Sequence, residues 1–272
     1  KKIMKSTKKM ISFHSEDQGV LNKRKKYIKR GDPKSHPIWR NESVCLTCTK
    51  HLVKLANSTK KKIHILHITT AEEIELLNKN KKFISYEVTP QHLTLSSPSC
   101  YNKLGSLAQM NPAIRSNKHL SRLRKALKNN EIDIVGSDHA PHTLAEKKQE
   151  YPDSPSGMPG VQTLMPILLN EVSKKTISIN NVVQLTSYNP IKRFKVKNKG
   201  LIKEGYDADF TFVDLTKTKK ISNKLILSKC GWTPFHGMKI KGWPVGTMIN
   251  GNKVFWNEKI IGKPIGKPIK FN

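Results

Sequence analysis

The 272-residue chain predicts an α/β protein built on parallel strands. Short β-rich apolar runs alternate with amphipathic, helix-like stretches as far as about residue 195. His14, His67, Glu87 and Asp138 stand toward the carboxyl ends of four successive runs, the rim where α/β enzymes keep their chemistry. "GSDHAPHT" (136–143) then sets Asp138, His139 and His142 close together behind a Gly-Ser turn.

Taken in order, "MISFH" (10–14) reads as a strand and "NESVCLTCTKHLVKLAN" (41–57) as a helix. "KIHILHI" (62–68) is the second strand, with only His67 of its two histidines at the end. "TAEEIELLNKN" opens with Thr70 and Glu73 in capping-box spacing, which starts a helix. "FISYEVT" (83–89) is a third strand, 118–130 a helix, and "EIDIVGSD" a fourth strand ending at Asp138. Residues 160–172 and 178–187 read as further helices. Beyond about 195 the pattern turns to short alternating runs with Gly and Asn-Gly turns. "INGNKVF" there has the form of a hairpin, so the tail reads as a small β-module.

The formal charge of +30 suggests nucleic acid, but only seven of the fifty basic residues are Arg and the lysines are scattered. No zinc finger, RNA-recognition signature or Arg-rich arm accompanies them, so no specific nucleic-acid partner is expected. No segment is long and apolar enough to span a bilayer, and the basic opening lacks the apolar core of a signal peptide. Cys45 and Cys48 have redox or zinc spacing, yet Cys45, Cys48, Leu52 and Leu55 recur on one helix face. Core thiols fit that spacing better, and free thiols suit a reducing, cytoplasmic setting. Two imidazoles and a carboxylate on one rim match the ligand set of catalytic zinc. Each histidine alone also suits a structural hydrogen bond, and Asp138 alone suits a helix cap.

Further motifs carry a resemblance over nearly the whole chain: "HSEDQ", "GDPKSHPIWR", "EVTPQHLTL", "LAQMNPAIR", "GSDHAPHTLAEK", "SPSGMPGVQTLMPILL", "NKGLIKEGYDADFTFVDL" and "CGWTPFHGMKIKGWPVG". In order and spacing they resemble the class I dihydroorotases of the cyclic amidohydrolase superfamily. That resemblance implies a metal-dependent hydrolase (β/α)8 barrel with a β-sandwich. It implies His14, His67 and Asp138 as zinc ligands, with one or two Zn2+ per site and Asp138 also the catalytic base. Asn111 and His142 would hold the substrate ring and its carboxylate, and the backbone at Pro159 and Gly160 would touch the ring. The implied reaction is the reversible cyclisation of N-carbamoyl-L-aspartate to dihydroorotate in pyrimidine biosynthesis. "MNPAIR" and "GWTPF" argue against a hydantoin, dihydropyrimidine or allantoin substrate.

The family's strand-one H-x-H is absent and its bridging Asp or carboxylated Lys on strand four is not assignable, so the metal-ligand set is incomplete. Residues 1–195 hold about four strand–helix units where a barrel needs eight. The expectation is therefore strands 5–8 of a barrel over 1–195 and a β-sandwich tail over 196–272. The chain, which begins at Lys1, is expected to be part of a longer or processed protein and inactive alone. A half-closed sheet has two open edges and should associate, with a second copy or another pyrimidine enzyme. The alternative is a non-catalytic dihydroorotase-like remnant or scaffold. Gln91, Ala113 and Arg124 depart from residues usual in the family, where His, Pro and Trp are common.

Overall fold

The computed structural model describes residues 1–271. Its chain divides into two units: Lys1–Leu164 with Ser222–His236, and Met165–Ile221 with Gly237–Asn272. These bounds differ from a division at 195. The helical stretch from 165 to 194 groups with the β-rich tail, while 222–236, which contains "CGWTPF", returns to the first unit.

The first unit is built on a parallel sheet of β1 (Ile11–Phe13), β2 (Ile63–Ile65), β3 (Ile84–Val88) and β4 (Ile134–Val135), in that order. Ile63, Ile65, Ile84, Tyr86 and Val88 are fully buried. Continuous apolar burial of this kind is what central parallel strands covered on both faces require. Helix Glu42–Thr59 turns Val44, Cys45, Leu52, Val53 and Ala56 inward at three- and four-residue steps. Helix Ala71–Asn78 starts at the predicted capping box. Thr70 Oγ1 accepts from Glu73 N at 3.1 Å, and the Glu73 carboxylate accepts from Thr70 N at 3.2 Å. Helix Asn117–Lys128 buries Leu123, Ala126 and Leu127.

The expected fourth strand over 131–138 is corrected to Ile134–Val135. Tyr86 N donates to the Asp133 side chain at 3.0 Å, so a carboxylate takes the place of a ladder carbonyl. The second expected strand stops at Ile65 because His67 adopts φ +37°, which breaks extended backbone. The helix expected from 160 begins at Leu164. The helix expected over 178–187 is Ile179–Val183, followed by a π-helical turn, Gln184–Tyr188, and a further helix, Asn189–Phe194.

The second unit holds an antiparallel sheet, β5 (Phe210–Lys220), β6 (Lys239–Ile249), β7 (Asn252–Trp256) and β8 (Lys259–Ile260). The predicted hairpin joins β6 to β7 through Asn250 and Gly251, both at positive φ, as a tight right-twisting turn demands. Among the described residues no helix is long and apolar enough to cross a membrane.

Two buried imidazoles make stability pH-dependent. His36 donates Nε2–H to Met110 O at 2.9 Å and His92 donates Nε2–H to Pro112 O at 3.1 Å. Burial lowers His36 to about 4 and His92 to about 3. Between those values and the ordinary 6.5 the unfolded chain binds protons that the folded chain refuses, so stability rises with pH. Acidification from pH 6.5 to 4.5 is expected to cost about 1.4 kcal/mol per pH unit for each histidine at most. Equal urea midpoints at pH 7 and pH 4.5 would count against this.

Candidate active site at the rim of the parallel sheet

The carboxyl end of β1 carries His14, and His67 lies two residues past β2. Because β1 and β2 run parallel in register, the two rings meet. His14 Nδ1 and His67 Nε2 are 3.0 Å apart, with ring centroids 4.8 Å apart and the planes near perpendicular. His14 Nε2 donates to the Glu16 carboxylate at 2.9 Å. Glu16 also receives Arg40 Nη1, and Arg40 lies 4.6 Å over the Trp39 ring. That carboxylate fixes the His14 tautomer and leaves Nδ1 as a lone pair facing His67. Burial pushes Glu16 up, but the His14 hydrogen bond and the charges of Arg40, His14 and Arg115 outweigh it and hold the carboxyl low. His67 is lowered to about 4 by burial and then by His14, so it is neutral at pH 7. Its Nδ1 is buried without a partner among the described residues.

A second polar group lies deeper. His64, wholly buried, donates Nε2–H to Glu87 at 3.1 Å and bonds Ser85 through Nδ1 at 2.8 Å. Glu87 fills the space beside Gly136, where a Cβ would stand 2.6 Å from its Oε1. Asp138, three residues beyond β4, takes φ +42°. Burial raises its pKa, and Glu87 raises it further, while His14 lowers it. Asp138 is therefore within electrostatic reach of both Glu87 and His14, and is a better proton acceptor than a free aspartate.

The remaining predicted residues line loops beyond the strand ends. Asn111 keeps Oδ1 buried and, among the described residues, unpartnered. His142 lies against Gly157, where a Cβ would come 3.4 Å from the imidazole Cδ2, and its carbonyl accepts Trp232 Nε1–H at 2.8 Å. Pro159 and Gly160 are buried and line a shallow pocket with His139, Thr163, Ile226 and Thr233. His139 Nδ1 accepts the Gly160 amide at 3.1 Å. Gly160 touches the main chain so closely that a Cβ would lie 2.2 Å from Ser137 O and 2.7 Å from Gln91 Nε2. Gly160→Ala is expected to push this loop off the β4 end and to cost about 1–3 kcal/mol. The readout is a melting temperature several degrees lower, and an unchanged melt would contradict the packing.

Zinc bonds of about 2.0–2.1 Å to imidazole put tetrahedral ligand atoms roughly 3.3 Å apart. The 3.0 Å separation of His14 Nδ1 and His67 Nε2 fits two corners of such a site. Among the described residues, however, no group of three His, Cys, Asp or Glu side chains is placed to hold a metal. The structure thus joins His14 to His67 and leaves Asp138 outside a closed ligand set. Glu16, Arg40 and His139 join the site without a role expected from the sequence. The H-x-E spacing of His14 and Glu16 was the available signal for the first. Cys45 is buried in the core as expected, 3.1 Å from Arg115, while Cys48 is only half-buried; all four cysteines are free.

A parallel sheet whose carboxyl-end rim gathers imidazoles and carboxylates defines an α/β enzyme of the kind that works at strand ends. The chain belongs to the amidohydrolase family, whose model matches residues 1–254. It is 35% identical over 261 residues to a dihydroorotase of Pyrococcus furiosus, covering 96% of this chain and 58% of that protein. A dihydroorotase of Methanosphaera stadtmanae is 33% identical over 258 residues, covering 90% and 58%. Among solved structures, an L-hydantoinase (dihydropyrimidinase) from Arthrobacter aurescens superposes with a TM-score of 0.89 at 24% identity. That match covers 93% of this chain and 58% of that one, and at that identity it shows the fold alone. The chain thus spans 58% of the length of these relatives.

Proposed function

We propose that this chain is the strand 5–8 portion of a (β/α)8-barrel dihydroorotase, with the tail from about 196 as part of its β-sandwich. In this reading the whole protein interconverts N-carbamoyl-L-aspartate and dihydroorotate. The observation that carries it is identity above 30% to dihydroorotases along 90% or more of the chain, with His14 and His67 in contact at the strand ends.

His14 and His67 would hold zinc, with Glu16 orienting His14. When bound, the metal supplies an acidified water and polarises the ring carbonyl. Asp138 takes the proton released as water adds to the ring carbonyl and returns it to the departing ring nitrogen; its raised pKa suits that exchange. Asn111 Oδ1, buried and without a partner among the described residues, would accept a ring N–H. His142 meets the substrate carboxylate, and the backbone of Pro159 and Gly160 borders the ring. The ligand set is incomplete among the described residues, so this chain alone is expected to be inactive. β1 and β4 are the outer strands of their sheet, which suits pairing with the rest of a barrel, a second copy or another pyrimidine enzyme. Free thiols suit a cytoplasmic setting.

The test is cyclisation of N-carbamoyl-L-aspartate by the protein that contains this chain, with zinc content measured in parallel. Turnover that follows zinc supports the reading. Faster hydrolysis of a hydantoin than of dihydroorotate would replace it.

A further inference from the structure

Lys147 ends the short helix Leu144–Lys147, and its side chain is wholly buried. No carboxylate lies within ion-pair distance of its ammonium among the described residues. Nζ donates instead to two main-chain carbonyls, Gln109 O at 2.9 Å and Pro155 O at 2.7 Å, and lies 6.0 Å over the Trp232 ring. A buried lysine without a counter-charge is costly, and surface lysines avoid that cost.

Its acceptors are not ordinary loop carbonyls. Gln109 stands two residues before Asn111, and Gln109 O also accepts the Gly157 amide at 2.9 Å. Gln109 Nε2 donates to Ser154 O at 2.7 Å and Ser156 Oγ at 3.2 Å, and Ser154 Oγ returns a bond to Lys147 O at 3.1 Å. The helix that ends in Lys147 starts at the capping box of Thr143 and Glu146, directly after His142. Three loops thus converge on one amine: the one before Asn111, the one carrying His142, and 154–160 leading to Pro159 and Gly160.

We propose that Lys147 is a positioning residue that ties these three loops into one substrate-binding wall. The identity of the substrate rests on the dihydroorotase reading; the tie does not. Burial lowers the Lys147 pKa to about 7. A neutral amine still carries two N–H groups, one for each carbonyl, so the tie holds on either side of that value.

Lys147→Met keeps the stem and removes the donors. Native-state hydrogen exchange should then show the Gly157 amide and its neighbours in 154–160 opening at least about tenfold faster, with β2 and β3 amides unchanged. In the protein that contains this chain, KM for dihydroorotate should rise about tenfold or more while kcat stays within about threefold. Unchanged exchange at Gly157, or equal acceleration in β2 and β3, would overturn the proposal. A variant that fails to fold leaves a measurement on the wild type. Under native reductive methylation Lys147 should stay unmodified, and modification at the rate of surface lysines would overturn the tie. Wild-type protein that does not process dihydroorotate refutes the substrate reading, while the exchange result still judges Lys147.

Discussion

Asp138→Asn is expected to lower turnover of the protein that contains this chain by about 10²–10⁴-fold, the range for loss of a positioned proton carrier. Asparagine suits the site because it tolerates the left-handed φ of +42° that most residues resist. It keeps the shape of the side chain, but replaces one acceptor oxygen with an NH2 donor and removes both the charge and the ability to take a proton. The melting curve should stay close to wild type while kcat for ring closure and ring opening both collapse, since in the proposed mechanism one group carries the proton in both directions. A variant retaining turnover within tenfold of wild type would remove Asp138 from the mechanism.

Trp232→Ala carries the largest expected loss of stability, about 3–5 kcal/mol, the usual cost of emptying a buried aromatic site. Trp232 is 1% exposed and packs among Cys100, Tyr101, Met110, Ile114 and Met158. Its Nε1–H is also the donor to His142 O. Trp232→Phe separates the two contributions. The ring burial largely survives, but the His142 carbonyl loses its donor, at about 1–3 kcal/mol. Urea unfolding of both variants measures this, with Ala the less stable. Equal losses would mean that packing contributes nothing beyond the hydrogen bond. The "GWTPF" stretch works, on this account, as the floor beneath the His142 loop.

Much of this was legible in the chain. The alternating strands and helices, the Thr70–Glu73 capping box and the Asn250-Gly251 hairpin follow from local rules: hydrophobic period, cap chemistry and positive-φ turns. His14 and His67 could be paired because both stand at the ends of apolar runs, and parallel strands bring such ends to one rim. Local pattern overran at Asp133, whose side chain takes the Tyr86 amide and shortens β4. No local pattern could say that residues 222–236 fold back into the first unit, since a return of that kind is a long-range packing choice.

What the amino-acid order determined by itself was the parallel α/β class, the strand ends that face chemistry, and the donors available there. Tertiary structure alone decided that Glu16 orients His14, that Glu87 and burial raise Asp138, and that Lys147 sits between two carbonyls. The reason is distance along the chain. Helix and strand periods act within a few residues, whereas 38 positions separate Lys147 from Gln109 and 51 separate Asp138 from Glu87. Only the packed sheet and its loops bring such groups together, and burial there gives each contact a strength it lacks in water.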